Sequence, residues 1–292
     1  MSSIDSHVNL KAAIRNINAL PTIPVIAQKL LALDLESNEG EIAMLKLIEK
    51  DPQIAGKLIG LANTPFFAPS KRISTLLEAV MLLGTLRVKT VTLGVAFMTS
   101  MEKKSVGKLD IQALWLHSFC IAIAMRTLSR AMPLDSRPFL DEIFFAGLLH
   151  DIGYMVLNHL DRERSDELHS RFASGKGRLS IEIEAELLEM NHCELGAELA
   201  SYWSLPDTII AVIRYHHDPN NESAAVGQPL VRMLNLAEKI LPALGISEHV
   251  PTEILPEEWL WLGIDPEQAN DMMEQIIQQA EEAKLASGTL PG

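Results

Sequence analysis

The stretch Phe144-Phe145-Ala146-Gly147-Leu148-Leu149-His150-Asp151-Ile152-Gly153 runs apolar for six residues and then sets His150 and Asp151 side by side. In apolar surroundings a charged group is costly unless it is paired or holds a metal. Candidate partners are His117 upstream and His192, His216, His217 and Glu238 downstream. A His-Asp dipeptide alone says little, but the ordered set of seven says much more. Imidazole nitrogens and carboxylates together suit a borderline divalent ion such as Fe, Mn, Zn, Co or Ni. Two ions could share Asp151 as a bridging carboxylate, which would make it the catalytic residue. They would activate a water and stabilise the leaving oxygen of a phosphate ester. Glu238 is one methylene longer than Asp and could still coordinate.

Each residue also has an ordinary alternative. His117 reads equally as a hydrogen-bonded core histidine, and His150-Asp151 as a pair closing a helix. His192 reads as a surface histidine at a helix start. One of His216 and His217 is expected to face solvent, because adjacent residues on a helix diverge. Glu238 beside Lys239 reads as a solvated pair. His159, His169 and His249 lack comparable context and are read as surface. One bound metal would settle most of these readings together.

The elements that must position these residues are helices. No period-2 segment of any length occurs in residues 1–105, where five or six helices are expected with no dense acidic cluster. Thr22, after Pro21, is placed to cap the helix from Val25, and Asp51-Pro52 opens another as N-cap and first position. The polar stretch Met101 to Lys108 is the best internal boundary. A helix then runs from about Ile111 to Met132 and carries His117. Asp141 is expected to cap the helix that ends in His150-Asp151. Another runs from Asn158 to Ala173, followed by the loop Gly175-Lys176-Gly177. Ser180 is expected to cap an acidic helix with Glu182, Glu184 and Glu186. Further helices start at His192, end at His216-His217 and carry Glu238, the last stopped by Pro242. Trp203 reads as a core anchor. A last helix spans about Pro266 to Lys284, before a frayed end.

Composition narrows the class. Apolar residues make up 48% and aromatics only 5% of 292 residues, which suits helices packed through Leu, Ile, Ala, Val and Met. A formal net charge of −13 argues against broad nucleic-acid binding, which rests on Lys and Arg at phosphates. Cys120 and Cys193 read as free thiols of a reducing cytoplasm. The start shows no signal peptide. Arg126, Arg87 and Lys89 are read as breaking the apolar runs short of the roughly 18 residues a membrane helix needs.

Several motifs in order resemble a family. They are Leu20-Pro21-Thr22-Ile23-Pro24, Ile48-Glu49-Lys50-Asp51-Pro52, Leu58 to Asn63, and Ile73-Ser74 through Leu83-Gly84. In the second half they are Trp115-Leu116-His117-Ser118, Ala146 to Gly153, His192 to Ala197, Trp203 to Pro206, Ile213 to His217, and Leu236-Ala237-Glu238. Over about residues 15–245 the chain resembles bacterial HDOD proteins, relatives of the HD and HD-GYP phosphohydrolases. The resemblance implies an all-α fold, a helical N-terminal bundle packed on an HD-like helical domain, and a role in bacterial signalling. Many members lack a full metal site and are regarded as non-catalytic, whereas His117, His150, Asp151, His192 and His216/His217 all match the family's ligand positions.

The chain departs from the HD-GYP pattern. Asp218-Pro219-Asn220-Asn221 replaces the glycine-tyrosine-proline loop, Ala113 stands where some members carry an acidic ligand, and Glu238 replaces Asp. Tyr154 stands in place of a Lys that would help neutralise phosphate. These departures point away from cyclic di-GMP hydrolysis.

The expected organisation is a helical subdomain over 1–105, an HD-like subdomain over 106–250, and a C-terminal helix and tail over 251–292. The expected protein is a cytoplasmic regulator, neither membrane-bound nor nucleic-acid-binding, that works through signalling protein partners acting in trans. Its site is expected to hold one or two divalent transition metals, with a nucleotide as a candidate ligand. The alternative is a metal-dependent phosphohydrolase acting on a nucleotide or other phosphate ester.

Overall fold

Side-chain caps start several of the helices. In a computed structural model, residues 9–16, 20–35, 37–63, 67, 69–102, 107–175, 177–241, 246 and 248–287 are described, the side chains of Met98, Met101, Glu102, Ala286 and Ser287 excepted. The polar start, residues 103–106 of the expected boundary, Lys176, Pro242 and the last five residues lie outside them. Among the described residues there are sixteen α-helices and no strand.

The first six are α1 (Leu10–Arg15), α2 (Val25–Leu31), α3 (Asn38–Glu49), α4 (Pro52–Ala62), α5 (Leu76–Leu83) and α6 (Thr85–Glu102). Asp51 accepts from the Gln53 and Ile54 amides with Pro52 at the first position, as expected. Thr22 does not cap α2; its N-cap is Pro24, without a side-chain bond. Thr75 and Glu78 form a reciprocal capping box on α5.

The second part holds α7 (Ile111–Ala131), α8 (Leu140–Leu149), α9 (Ile152–Leu160), α10 (Arg162–Ser174), α11 (Ser180–Leu187), α12 (His192–Tyr202), α13 (Asp207–Tyr215), α14 (Leu230–Ile240), α15 (Pro256–Leu260) and α16 (Ala269–Ser287). The helix expected over Asn158 to Ala173 is two, because Asp161 ends α9 and its carboxylate accepts from the Arg164 amide to start α10. Neither Asp141 nor Ser180 is a cap. Asp141 lies in the first turn of α8, and the Ser180 hydroxyl accepts from the His249 amide instead. The segment after Asp218 is partly ordered as a 3-10 turn over Glu222–Gly227.

Helix α7 is the central element, buried without interruption from His117 to Met125. Helices α8, α14 and α16 pack around it. Gly147 on α8 meets α7 so closely that a Cβ there would stand 2.6 Å from the Ala122 Cα. The first six helices dock mainly through α6, where the Phe97 ring stacks on Trp203 at 4.4 Å; α1 also packs on α12, and the Trp203 indole donates to the carbonyl of Pro21, ahead of α2, at 2.9 Å.

The expectation about membrane spans needs correction. By length and composition, Ile111–Ala131 and Leu140–Leu160 are apolar enough to cross a membrane. Arg126 and the charges near Asp151 do not lower the average sufficiently. The most apolar window of each is 67% and 89% buried inside the protein, so the core accounts for that apolarity.

Candidate metal centre

Five helix ends and faces converge on one point in the core. α7 brings His117 from its middle. α8 stops at Leu149, leaving His150 as its C-cap, and α9 starts only at Ile152. That break in the helix lets the neighbours His150 and Asp151 both face inward. α12 opens at His192 on a capping box made by Asn191 and Glu194. α13 ends at Tyr215, so His216 and His217 sit in the turn that follows. α14 turns Glu238 into the core. His117, His150, Asp151, His192, His216 and Glu238 are each no more than 3% exposed.

The carboxylate of Asp151 is the centre. Its Oδ2 lies 3.1 Å from His150 Nε2 and 3.5 Å from His117 Nε2. Its Oδ1 lies 3.5 Å from His192 Nε2 and 3.8 Å from His216 Nε2. Glu238 Oε1 stands 3.3 Å from His150 Nε2 and closes the first half. His217 lies between two carboxylates, its Nδ1 3.4 Å from Glu238 and its Nε2 3.4 Å from Glu248.

The ring nitrogens facing away from Asp151 are held. His150 Nδ1 donates to the Gly147 carbonyl at 2.9 Å and His216 Nδ1 to the Ile213 carbonyl at 2.9 Å. His192 Nδ1 donates to Glu184 at 2.8 Å, and its backbone amide donates to the same carboxylate at 2.7 Å. With Nδ1 carrying hydrogen, the three Nε2 lone pairs point inward, which is how metal-ligating histidines are oriented.

The electrostatics ask for a cation. Burial pushes Asp151 up, but His150, His192 and His117 outweigh it and hold its carboxyl well below the usual range. Burial works against a charge on His150, yet Asp151 and Glu238 hold it well above the ordinary imidazole value. Burial, with His217, His192 and His150 around it, holds His216 well below that value. Burial also lowers His117, against the pull of Asp151. Both nitrogens of His117, His150 Nε2, and both oxygens of Asp151 and of Glu238 are buried without a hydrogen-bond partner. Orphan acceptors of this kind are rare in a folded core. A divalent ion fits this donor set, with His117, His150, Asp151 and Glu238 as one group within reach of a single ion.

All seven residues singled out from the sequence come together. Neither His216 nor His217 turns to solvent, because the helix ends before them; His217 alone is half-buried. Glu238 is not a solvated partner of Lys239, whose ammonium pairs with Glu258 at 2.6 Å. His169 is not a surface residue but is part-buried, with its ring 5.6 Å from that of Tyr154. His159 and His249 are likewise part-buried.

Three participants were not legible as such. Glu184 is fully buried beneath His192. Its sequence signal is that Ser180, Ile183, Glu184 and Leu187 share one face of α11, which sets a carboxylate on the inward stripe. Glu248 is 2% exposed, in a non-helical segment with no periodic signal. Tyr154 links these two: its hydroxyl lies 3.0 Å from Glu184 and 2.7 Å from Glu248, with one proton to give.

Comparison with known proteins shows the family and the fold. The HDOD domain family model matches residues 20–219, and the chain belongs to the HDOD family. An uncharacterized protein of Treponema pallidum (strain Nichols) is 25% identical over 271 residues, covering 90% of this chain and 50% of its own. A protein from Marinobacter aquaeolei, named provisionally as a signal transduction protein, superposes with a TM-score of 0.77 at 22% identity, over 97% of this chain and 65% of that one. A provisionally named phosphohydrolase from Shewanella amazonensis superposes with a TM-score of 0.71 at 22% identity, over 97% and 99%. At these identities the structural matches establish the fold. The chain spans half the length of its Treponema relative and about two thirds of the Marinobacter protein.

Proposed function

We propose that this chain is a bacterial HDOD signalling module whose buried cluster binds one or two divalent transition metals and which acts through contacts with protein partners in the cytoplasm. His117, His150, Asp151 and Glu238 would hold one ion. His192, His216 and Asp151 would hold the other, with His217 and Glu248 beside them. Such an ion acts as a Lewis acid and lowers the pKa of a bound water.

The observation that carries the regulatory reading is the burial of the donors. His217 lines a cavity of about 490 Å3 that also bears Asp218, Glu253, Glu257 and Glu258, while the other six are no more than 3% exposed. The cavity's one lysine, Lys239, is already paired with Glu258. Four carboxylates against one paired ammonium repel a phosphate ester. Tyr154, at the position where a Lys would neutralise phosphate, is engaged with Glu184 and Glu248. A metal here orders the core and the helices that present the outer surface.

A second reading, a metal-dependent phosphohydrolase, is favoured by one specific feature. Asp151 directs one oxygen to each half of the cluster, as a carboxylate bridging two ions in a hydrolytic site would. Elemental analysis of protein purified without chelator, with a hydrolysis screen over cyclic dinucleotides and phosphomonoesters, separates the readings. The regulatory reading expects one or two metal equivalents and no turnover. Turnover at a rate typical of enzymes, lost in Asp151→Asn, would replace it with the hydrolase. Absence of metal would remove the metal from both.

A further inference from the structure

Next to His192 stands Cys193, 3% exposed. A buried cysteine is ordinarily a small apolar filler. Here its sulfur lies 3.4 Å from His192 Nε2 and 3.8 Å from His216 Nε2, and those two nitrogens are 3.2 Å apart. Asp151 Oδ1 stands 3.5 and 3.8 Å from the same two nitrogens. The His192 ring donates through Nδ1 to Glu184 and the His216 ring through Nδ1 to the Ile213 carbonyl. Two ring nitrogens and a sulfur therefore crowd one small volume, with a carboxylate oxygen beside the nitrogens.

These separations can be compared with a coordination sphere. A tetrahedral ion with bonds of about 2.0–2.1 Å to imidazole and about 2.3 Å to thiolate sets nitrogens about 3.3 Å apart and nitrogen and sulfur about 3.6 Å apart. The nitrogen pair here, at 3.2 Å, is just below the first value, and the nitrogen–sulfur distances, 3.4 and 3.8 Å, bracket the second. His192, Cys193, His216 and His217 together offer one donor atom each within reach of a single ion.

We infer that Cys193 is a metal ligand of the second half of the cluster, so that His192, His216, Asp151 and the Cys193 thiolate form a nitrogen–oxygen–sulfur site beside the all nitrogen–oxygen site of His117, His150, Asp151 and Glu238. The inference rests on the reading that the cluster binds metal. On binding, the sulfur–hydrogen bond breaks, the proton leaves to solvent and the sulfur electron pair goes to the ion. A thiolate makes this half softer than the first and favours Zn2+, Fe2+ or Co2+ over Mn2+ or Mg2+. The two halves then have different metal preferences although they share Asp151.

The test is a titration of the chelator-stripped full chain with Co2+, read by absorbance and by bound equivalents. A near-ultraviolet thiolate-to-cobalt charge-transfer band is expected in the wild type. It is expected to vanish in Cys193→Ser while cobalt still binds the first half. The chain has two cysteines, so the band in Cys120→Ser can arise from Cys193 alone, and this variant decides the matter even if Cys193→Ser folds poorly. Cobalt bound without such a band in the wild type or in Cys120→Ser, or a band that persists in folded Cys193→Ser, overturns the inference and leaves the metal reading standing. No cobalt bound at all overturns both.

Discussion

Gly153 packs against the carbonyl of His192 so tightly that a Cβ at position 153 would stand 1.8 Å from that oxygen. The contact joins the first turn of α9 to the first turn of α12. Asp151 is two residues before Gly153, so the same contact sets the distance between Asp151 and His192. Gly153→Ala should cost on the order of 3 kcal/mol, at the upper end for overpacking, because the obstacle is backbone. It should also lower metal content by parting the two halves. Urea unfolding and elemental analysis of one preparation check both effects.

Asp151 and Glu238 should differ in what they remove. Asp151→Asn takes the shared charge from both halves and should empty both. Glu238→Gln should lose only the first equivalent and keep the second. Asp151→Asn should also destabilise the metal-free protein by about 3 kcal/mol, since the four buried imidazoles around it lose their carboxylate. Equal metal loss in the two variants would contradict the bridging role.

Tyr154→Phe removes the hydroxyl set between Glu184 and Glu248. Two buried carboxylates then lose a donor, a cost of about 1–3 kcal/mol. Because Glu184 holds the His192 ring, affinity in the second half should fall more than in the first. Denaturation midpoints together with a two-site metal titration measure this, and unchanged stability would show that the hydroxyl does not support the pair.

pH should act oppositely on the metal-free and the metal-loaded protein. His150 is held above its ordinary value by Asp151 and Glu238, against its burial. Its contribution to the metal-free fold is complete below about pH 6.5 and is lost as pH rises through its raised folded pKa. The same proton competes with a metal, so metal affinity should rise with pH by about tenfold per pH unit for each proton displaced. The gain in melting temperature on adding Zn2+ or Co2+ should therefore be larger at pH 8 than at pH 6. A gain that shrinks with rising pH would argue against His150 as a ligand.

Much of this was legible from residue order. The absence of alternating segments in residues 1–105 announced helices there, the family resemblance implied an all-helical chain, Asp51-Pro52 announced a helix start, and the apolar run before His150-Asp151 announced that charge would be carried into a core. The seven ligand candidates followed from residue type and from the cost of burying charge. What the order could not show is which carboxylate oxygen meets which imidazole, or that the turn after α13 folds both His216 and His217 inward. Glu184 left a faint periodic trace on its helix. Glu248 left none, because outside a helix no spacing rule ties a residue to a face. Cys193 read as a free thiol and is one, but the order could not show that its sulfur lies against two imidazoles. Those distances of about three to four ångströms join residues 24 to 94 positions apart, from His192–His216 through Asp151–His216 to Tyr154–Glu248. They are set by close packing such as that of Gly153 on His192 and Gly147 on Ala122, which exists only once the helices have docked.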